Sequence, residues 1–426
     1  MGLALAALNA NAAEHTYKAM EIQPKSNRQK AAAGHNAAVV IYFLCGNAVL
    51  LPWNAFITAV DYFGSTYPGL HTDRLFTVCY LPLAFLTLVV STVLHDHSSA
   101  RLRVLVSFGA FFLTVLAVPL IDAGTHGQGS SGSLAAVCCL LALGGVLDGM
   151  GQGALFGTAA ALGPLFVEAL VAGTAMSGIL VSVLRVITKA AYSDTRQGLR
   201  VAAAAYFGVA AFFVLACFFL FAFVLPRLPF IKQQQRAASE AQQDVSDLAI
   251  GDQDQKLGAT SLRGMGRAMW VLAATIVLIY VVTLAIFPGV LAEDVSNSWL
   301  GSWYPVILIL IYNLGDFAGK MTPVLVPAAT VTAPAPIFAC AAARLAFVPA
   351  YYFAARAGVA PAMMVLTGLL GISNGLTTVW AMVAAPTACA TAKSKDLAGN
   401  VMITCLVFGL LLGSGCSFFW LIGRGW

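Results

Sequence analysis

Stretches of about twenty apolar residues, each long enough to cross a bilayer's hydrocarbon core, recur along almost the whole chain. They fall at 37–60, 75–94, 102–122, 134–158, 163–188, 203–225, 268–290, 302–326, 336–355, 361–385 and 398–422, about eleven in all. A bilayer core offers no water to backbone N–H and C=O groups, so runs of this length must be helices. With 60% hydrophobic and only 10% charged residues over 426 positions, the chain also lacks the roughly one-quarter charged content of a soluble domain. The composition therefore specifies an all-α integral membrane protein.

A polar N-terminal tail (1–36) precedes six spans in 37–226, a polar segment occupies 227–267, and five spans fill 268–426. The polar segment carries Lys232-Gln233-Gln234-Gln235-Arg236 and the acids Glu240, Asp244, Asp247, Asp252 and Asp254. It reads as a cytoplasmic linker, a tether between two halves. Of the 23 lysines and arginines, 14 lie in segments that are cytoplasmic if the N-terminus is, 6 on the other side, and Arg185, Lys320 and Arg344 within spans. That asymmetry places the N-terminus in the cytoplasm and the C-terminus opposite. The net charge of +5 follows from this topology and calls for no nucleic-acid partner. The nine cysteines have neither CxxC spacing nor a loop framework and read as small buried hydrophobes. Met1–Leu8 lacks the basic start of a signal peptide, and Ala6 breaks the myristoylation pattern. No HExxH, P-loop or GxSxG with a matching acid and histidine is present, so neither ATP-driven transport nor hydrolysis has a motif, and no cofactor or metal is expected. His95-Asp96-His97 reads as a solvated loop pair, with metal binding as the alternative, and Glu293-Asp294 as a solvated helix end.

Polar residues inside the spans carry the functional signal. In the run from Trp303 to Pro327 sits Asn313-x-x-Asp316-x-x-Gly319-Lys320. An ionisable side chain near the bilayer centre costs at least roughly 2.5–3.5 kcal/mol and faces protein or a wet cavity. The spacing puts Asn313, Asp316 and Lys320 on one helical face, the acid four residues before the base. Either the pair locks two helices or it forms a polar solute site. In the first span, Leu50-Leu51-Pro52-Trp53-Asn54 presents an aromatic beside an amide at a proline that is expected to break the helix. Trp53 can stack on a planar heterocycle or pack between helices. The fourth span holds Asp148 and Gln152 among Gly144, Gly145, Gly149, Gly151 and Gly153, small residues that let helices approach. Gln152 offers donors and acceptors that suit a base edge. Asp148 has no partner expected in its own span, which makes it a candidate proton carrier, unless it pairs with Arg185 or Arg344. Arg185 can snorkel to its span's end. Arg344 sits deeper and can pair with Asp316 or Asp148. Asn374, in Gly371-Ile372-Ser373-Asn374-Gly375, is an amide in a helix expected to be broken by glycine and to bond across helices.

Together these residues resemble the equilibrative nucleoside transporters over nearly the whole chain. The resemblance rests on Leu51-Pro52-Trp53-Asn54-Ala55-Phe56-Ile57-Thr58-Ala59, Gln152-Gly153, Asn313-x-x-Asp316-x-x-Gly319-Lys320, Ala343-Arg344-x-x-Phe347-x-Pro349 and Gly371-x-Ser373-Asn374-Gly375, in the family's order. Ala172-Gly173-Thr174-Ala175, Ser177-Gly178, Arg185 to Lys189, and Phe287-Pro288-Gly289 with Glu293-Asp294 are similar to the plant branch. The resemblance implies eleven spans, a major-facilitator-like two-bundle (six plus five) fold, and alternating access. It implies that Trp53 contacts a nucleoside, Gln152 reads the base edge, Asp316 with Lys320 holds the ribose hydroxyls, and Tyr80 and Leu83 line the cavity. Asn54, Arg344 and Asn374 then fall in structural or gating positions. Lys320 stands where animal relatives carry arginine, and Leu376 where a tyrosine commonly follows the glycine. Members similar to this one are commonly proton-coupled, and Asp148 occupies an acidic position of the plant branch.

The expected function is thus transport of purine and pyrimidine nucleosides, such as adenosine and uridine, by proton symport. The expected setting is a monomer in the lipid bilayer of the plasma membrane, with the vacuolar membrane as the alternative. Competing readings are an uncoupled facilitator of nucleosides, nucleobases or other small polar solutes, and a membrane receptor signalling through the linker. An enzyme is disfavoured, because no nucleophile–base or metal set appears at helical spacing.

Overall fold

The computed structural model describes residues 25–70, 72–93, 99–192, 195–237, 266–287, 300–324, 326, 331 and 333–417. The first 24 residues, His95-Asp96-His97, linker residues 238–265 and Glu293-Asp294 lie outside the described residues.

Every regular element described is helical. The first half comprises α1 (Lys25–Thr58), the short α2 (Val60–Thr66), α3 (Thr72–Val93), α4 (Ala100–Gly124), α5 (Ser131–Leu162), α6 (Pro164–Ala191) and α7 (Arg196–Phe219). α7 runs on through a π turn at Leu220–Val224 and a 3-10 turn at Leu225–Arg227, as Pro226 removes a backbone donor. The second half comprises α8 (Arg267–Ile286), α9 (Trp303–Lys320), α10 (Pro334–Ala343), α11 (Phe347–Ala357), α12 (Ala360–Thr387) and α13 (Ala392–Ser417). Ten helical segments are long and apolar enough to cross a membrane, α10 and α11 counting together as one. The expected eighth span is not among them. It is α9, an 18-residue helix whose amide, carboxylate and ammonium lower its hydropathy, and it stops at Lys320 instead of running on to Pro327. Thr322 precedes Pro323, which disfavours helical backbone there, and a 3-10 turn at Thr322–Val324 follows.

Three local expectations need correction. Pro52 does not break α1, which continues six residues beyond it to Thr58. The missing Pro52 N–H frees only the Ala48 carbonyl, and tertiary packing holds the helix through it. Glycine does not break α12 either: it is continuous through Gly371 and Gly375, and those glycines serve helix contact instead. The span expected at 336–355, by contrast, is interrupted. A 3-10 turn at Arg344–Ala346 separates α10 from α11, where Pro349 cannot donate to the Leu345 carbonyl.

Close backbone approach at glycine is the main packing device, as expected where lipid supplies no hydrophobic drive between helices. A Cβ on Gly46 would lie 2.2 Å from the Leu170 carbonyl oxygen, and one on Gly173 2.0 Å from that of Phe43, so α1 and α6 touch along their backbones. Gly145 and Gly149 do the same for α5 against Tyr80 and Ala84 of α3. Ser107 of α4 donates to the Leu147 carbonyl at 2.7 Å, tying α4 to α5.

The two halves meet through α3, α5 and α6 on one side and α9, α12 and α13 on the other. Thr92 of α3 and Thr404 of α13 share a 3.1 Å hydrogen bond. A Cβ on Gly399 of α13 would come within 2.4 Å of the Phe156 oxygen of α5. Asn313 of α9 donates to Ser182 Oγ at 2.8 Å and to the Gly178 carbonyl at 3.2 Å, both on α6.

Candidate functional site

Two buried polar clusters occupy the helices, one in each half. In the second half, Asp316 and Lys320 are each only 6% exposed, and Lys320 Nζ donates to Asp316 Oδ2 at 2.8 Å. The i,i+4 spacing builds this pair within α9, and the helix end at Lys320 favours a cation there. The second carboxylate oxygen, Oδ1, accepts from Asn374 Nδ2 at 2.8 Å. Asn374 Oδ1 in turn lies 2.7 Å from Thr283 Oγ1 and accepts from Arg344 Nη2 at 3.2 Å. Arg344, 2% exposed, also donates from Nη2 to Thr283 at 2.6 Å and from Nη1 to Ser373 Oγ at 2.6 Å and the Leu370 carbonyl at 3.2 Å. Its guanidinium thus crosses from the broken α10–α11 segment to α8 and α12. Arg344 does not pair with Asp316 directly. It is coupled to it through Asn374.

The backbone of α12 lies against that of α9 because four glycines face each other: Gly315 and Gly319 on α9, Gly371 and Gly375 on α12. This close approach brings the Asn374 amide within reach of Asp316.

In the first half, Trp53 of α1 stacks on Tyr80 of α3, with ring centroids 4.4 Å apart and 27° between planes. Trp53 is half-buried and Tyr80 buried. Beside Tyr80, on α5, Gln152 Nε2 lies 2.7 Å from both carboxylate oxygens of Asp148. Asp148 is 2% exposed, and no cation pairs with it among the described residues. The expected pairing with Arg185 or Arg344 is absent, and the expectation that Asp148 has no partner in its own span is corrected: Gln152, one turn on, supplies a neutral donor. Arg185 Nη1 instead donates to Tyr206 at 3.4 Å. The Tyr80 hydroxyl faces the Asp148 carboxyl without closing hydrogen-bond geometry.

The remaining candidates separate from these clusters. Leu83 is half-buried on α3. Asn54 Nδ2 donates to Ser177 Oγ at 2.6 Å, joining α1 to α6. Asn313, expected beside Asp316 and Lys320, instead reaches α6 of the other half. Sequence reasoning missed Thr283, a lone hydroxyl in the apolar α8, which carries no local signal. It also missed Asp396 and Asn400 at the start of α13, whose i,i+4 spacing was available: Asn400 Nδ2 donates to Asp396 Oδ1 at 3.2 Å.

Comparison with known proteins places the chain in a family. The family profile described as "Nucleoside transporter" matches residues 134–422. Equilibrative nucleotide transporter 8 of Arabidopsis thaliana is 36% identical over 394 residues, covering 91% of this chain and 96% of that one. Equilibrative nucleotide transporter 3 of the same plant is 33% identical over 415 residues, covering 95% and 98%. Among solved structures, the major facilitator superfamily proton:xylose symporter XylE superposes with a TM-score of 0.62 at 10% identity, covering 93% of this chain and 91% of that one. The transporter FucP, in an outward conformation, gives 0.58 at 12% identity, covering 93% and 100%. The fold is therefore major-facilitator-like. By its profile match and by relatives aligned over nine-tenths of its length, this multi-pass membrane protein belongs to the nucleoside transporter family.

Proposed function

We propose that the protein carries purine and pyrimidine nucleosides, adenosine and uridine among them, across the membrane by alternating access coupled to protons. The solute lies between the halves, its base against Trp53 and Gln152 with Tyr80 and Leu83 at the wall, its ribose hydroxyls on Asp316 and Lys320. Asn313, Asn54, Arg344 and Asn374 hold the helices around it. The observation that carries the proton is the burial of Asp148 with a neutral amide as its hydrogen-bond partner. A carboxylate so placed is costly while ionised, and protonation removes that cost as the halves rock.

Nucleosides fit better than nucleotides. A phosphate is best held by a buried cation not already committed to other acceptors, whereas Lys320 is neutralised by Asp316 and Arg344 spends both terminal nitrogens on four acceptors, leaving only its buried Nε unpaired. The same Asp316–Lys320 pair, neutral without any added proton, favours the second reading, an uncoupled facilitator. In either case the chain spans the plasma membrane as a monomer with eleven spans, N-terminus cytoplasmic and C-terminus opposite. Its lysines and arginines are distributed as that topology requires. The vacuolar membrane is the alternative location.

The test is uptake of labelled adenosine into proteoliposomes with and without an inward proton gradient, for the wild type, Asp148→Asn and Asp316→Ala. Gradient-driven accumulation lost in both variants supports the symport reading. Uptake that only equilibrates removes the proton, and no uptake at all removes the nucleoside.

A further inference from the structure

Gln152 is the unusual partner in its cluster. A side-chain amide has two faces, an N–H2 that donates and a carbonyl that accepts. Here the N–H2 is held 2.7 Å from each Asp148 oxygen, while Oε1 carries no hydrogen bond among the described residues. The amide is therefore oriented by the carboxylate, and its free end is an acceptor. Rotation by about 180° about its last torsion is the one rearrangement that exchanges the two ends without moving the helix.

We infer that Asp148 sets the hydrogen-bonding sense of Gln152, so that its protonation exchanges the acceptor offered to a solute for a donor. With Asp148 ionised, its oxygens accept only, the amide N–H2 turns to them, and Oε1 faces away. With Asp148 protonated, its O–H donates to Oε1 and the N–H2 is freed. The proton ends on a carboxyl oxygen, the two Nε2–carboxylate hydrogen bonds give way to one O–H···Oε1 bond, and no other covalent bond changes. Around the carboxyl, Tyr80 faces it from α3. No charged side chain of α1, α4, α6 or α13 lies within ion-pair distance of it among the described residues. The switch thus involves two side chains one helical turn apart, with the Tyr80 phenol facing them.

The inference rests on the reading of Gln152 as a solute contact and extends it to selectivity. An ionised Asp148 selects a base edge that donates, such as the exocyclic amine of adenosine. A protonated Asp148 admits an edge that only accepts. Purine riboside, which lacks the amine and offers ring nitrogens alone, is the probe. Competition by unlabelled adenosine and by purine riboside against labelled adenosine uptake is measured with equal pH on both sides, from about pH 5 to pH 8, so that driving force cancels in the ratio. The ratio of the two inhibition constants, purine riboside over adenosine, is expected to fall roughly tenfold from high to low pH in the wild type, the effect of satisfying one buried polar group.

Asp148→Asn is expected to flatten that profile, and Gln152→Leu to abolish the discrimination at every pH. A purely structural Asp148 would change uptake without moving the ratio. Competition with a pH-independent ratio in the wild type, or a slope surviving in Asp148→Asn, overturns the inference while leaving nucleoside transport standing. Absence of competition by adenosine itself overturns the transport reading instead. Should Asp148→Asn fail to fold, the wild-type profile together with Gln152→Leu still decides.

Discussion

Gly375 and Asp316 sit so close that a Cβ on the glycine would lie 2.0 Å from the Asp316 carbonyl oxygen. This approach of α12 to α9 sets the reach of the neighbouring Asn374 amide to the Asp316 carboxylate. Gly375→Ala is expected to separate the two helices, costing about 1–3 kcal/mol as overpacking does, and to lengthen the Asn374–Asp316 bond. Thermal unfolding in detergent and adenosine uptake should both fall. Unchanged stability would mean that the backbone approach is not tight in the membrane.

Lys320 and Asp316 form a buried pair, so each is costly alone. Lys320→Gln leaves a buried carboxylate served only by Asn374, and a loss of about 3–5 kcal/mol is expected. The double variant Asp316→Asn with Lys320→Gln should recover a large part of it, because no charge is left uncompensated. A double-mutant cycle on unfolding free energy checks this, and additive losses would show that the two charges do not interact.

The contrast between what the sequence disclosed and what it concealed is clear at these residues. Asp316 with Lys320 was legible because both partners share one helix at i,i+4, and the helices themselves were legible because bilayer length fixes them. Asn313 could not be placed. Its position on α9 was clear, but its partners Ser182 and Gly178 lie on α6 of the other half, and a single sequence does not show which helices touch. The glycines of α12 misled for the same reason: glycine lowers helix propensity locally, yet here it permits contact. Thr283, in an apolar run, gave no signal until Arg344 and Asn374 were seen converging on it.

Arg344 binds four acceptors on two helices through the two ends of its guanidinium. Lysine keeps the charge and loses the fork. Arg344→Lys is therefore expected to leave Thr283 or Ser373 without its partner, at about 1–3 kcal/mol for each buried group left unsatisfied. Its unfolding temperature should drop although net charge is unchanged. A variant as stable as wild type would show that charge alone holds the α8–α11–α12 junction.

Arg200 and Asp122 make the opposite case. Their bond is 2.8 Å long, but the side chains remain 24% and 18% exposed. Tyr62 donates to the same carboxylate at 2.5 Å. Burial, with Asp122 beside it, pushes the Tyr62 phenol well above its ordinary value, so it stays protonated and keeps donating. Arg200→Ala is expected to cost no more than about 1 kcal/mol, and the loss should shrink further in high salt. A loss as large as that of Lys320→Gln would contradict this reading.

Gly157 of α5 and Asp396 of α13 mark the contact between halves at one end of the molecule. A Cβ on Gly157 would fall 1.8 Å from Asp396 Oδ1 and 2.4 Å from Asn400 Nδ2, where ordinary contacts begin at 3.4 Å. Asp396 and Asn400 are bonded to each other, so neither side chain can swing aside without losing that bond. Gly157→Val must therefore break the Asp396–Asn400 bond or move α13 away from α5, and on the proposed alternating-access reading the halves take the second course by rocking. Spin labels at Leu162→Cys and Lys393→Cys, near the ends of those two helices, should report a longer and broader distance in the Gly157→Val protein than in its parent. Equal distributions would place this glycine outside the moving contact. In the same variant, uptake should slow while solute binding persists, since the substitution opposes closure of one end and touches neither polar cluster.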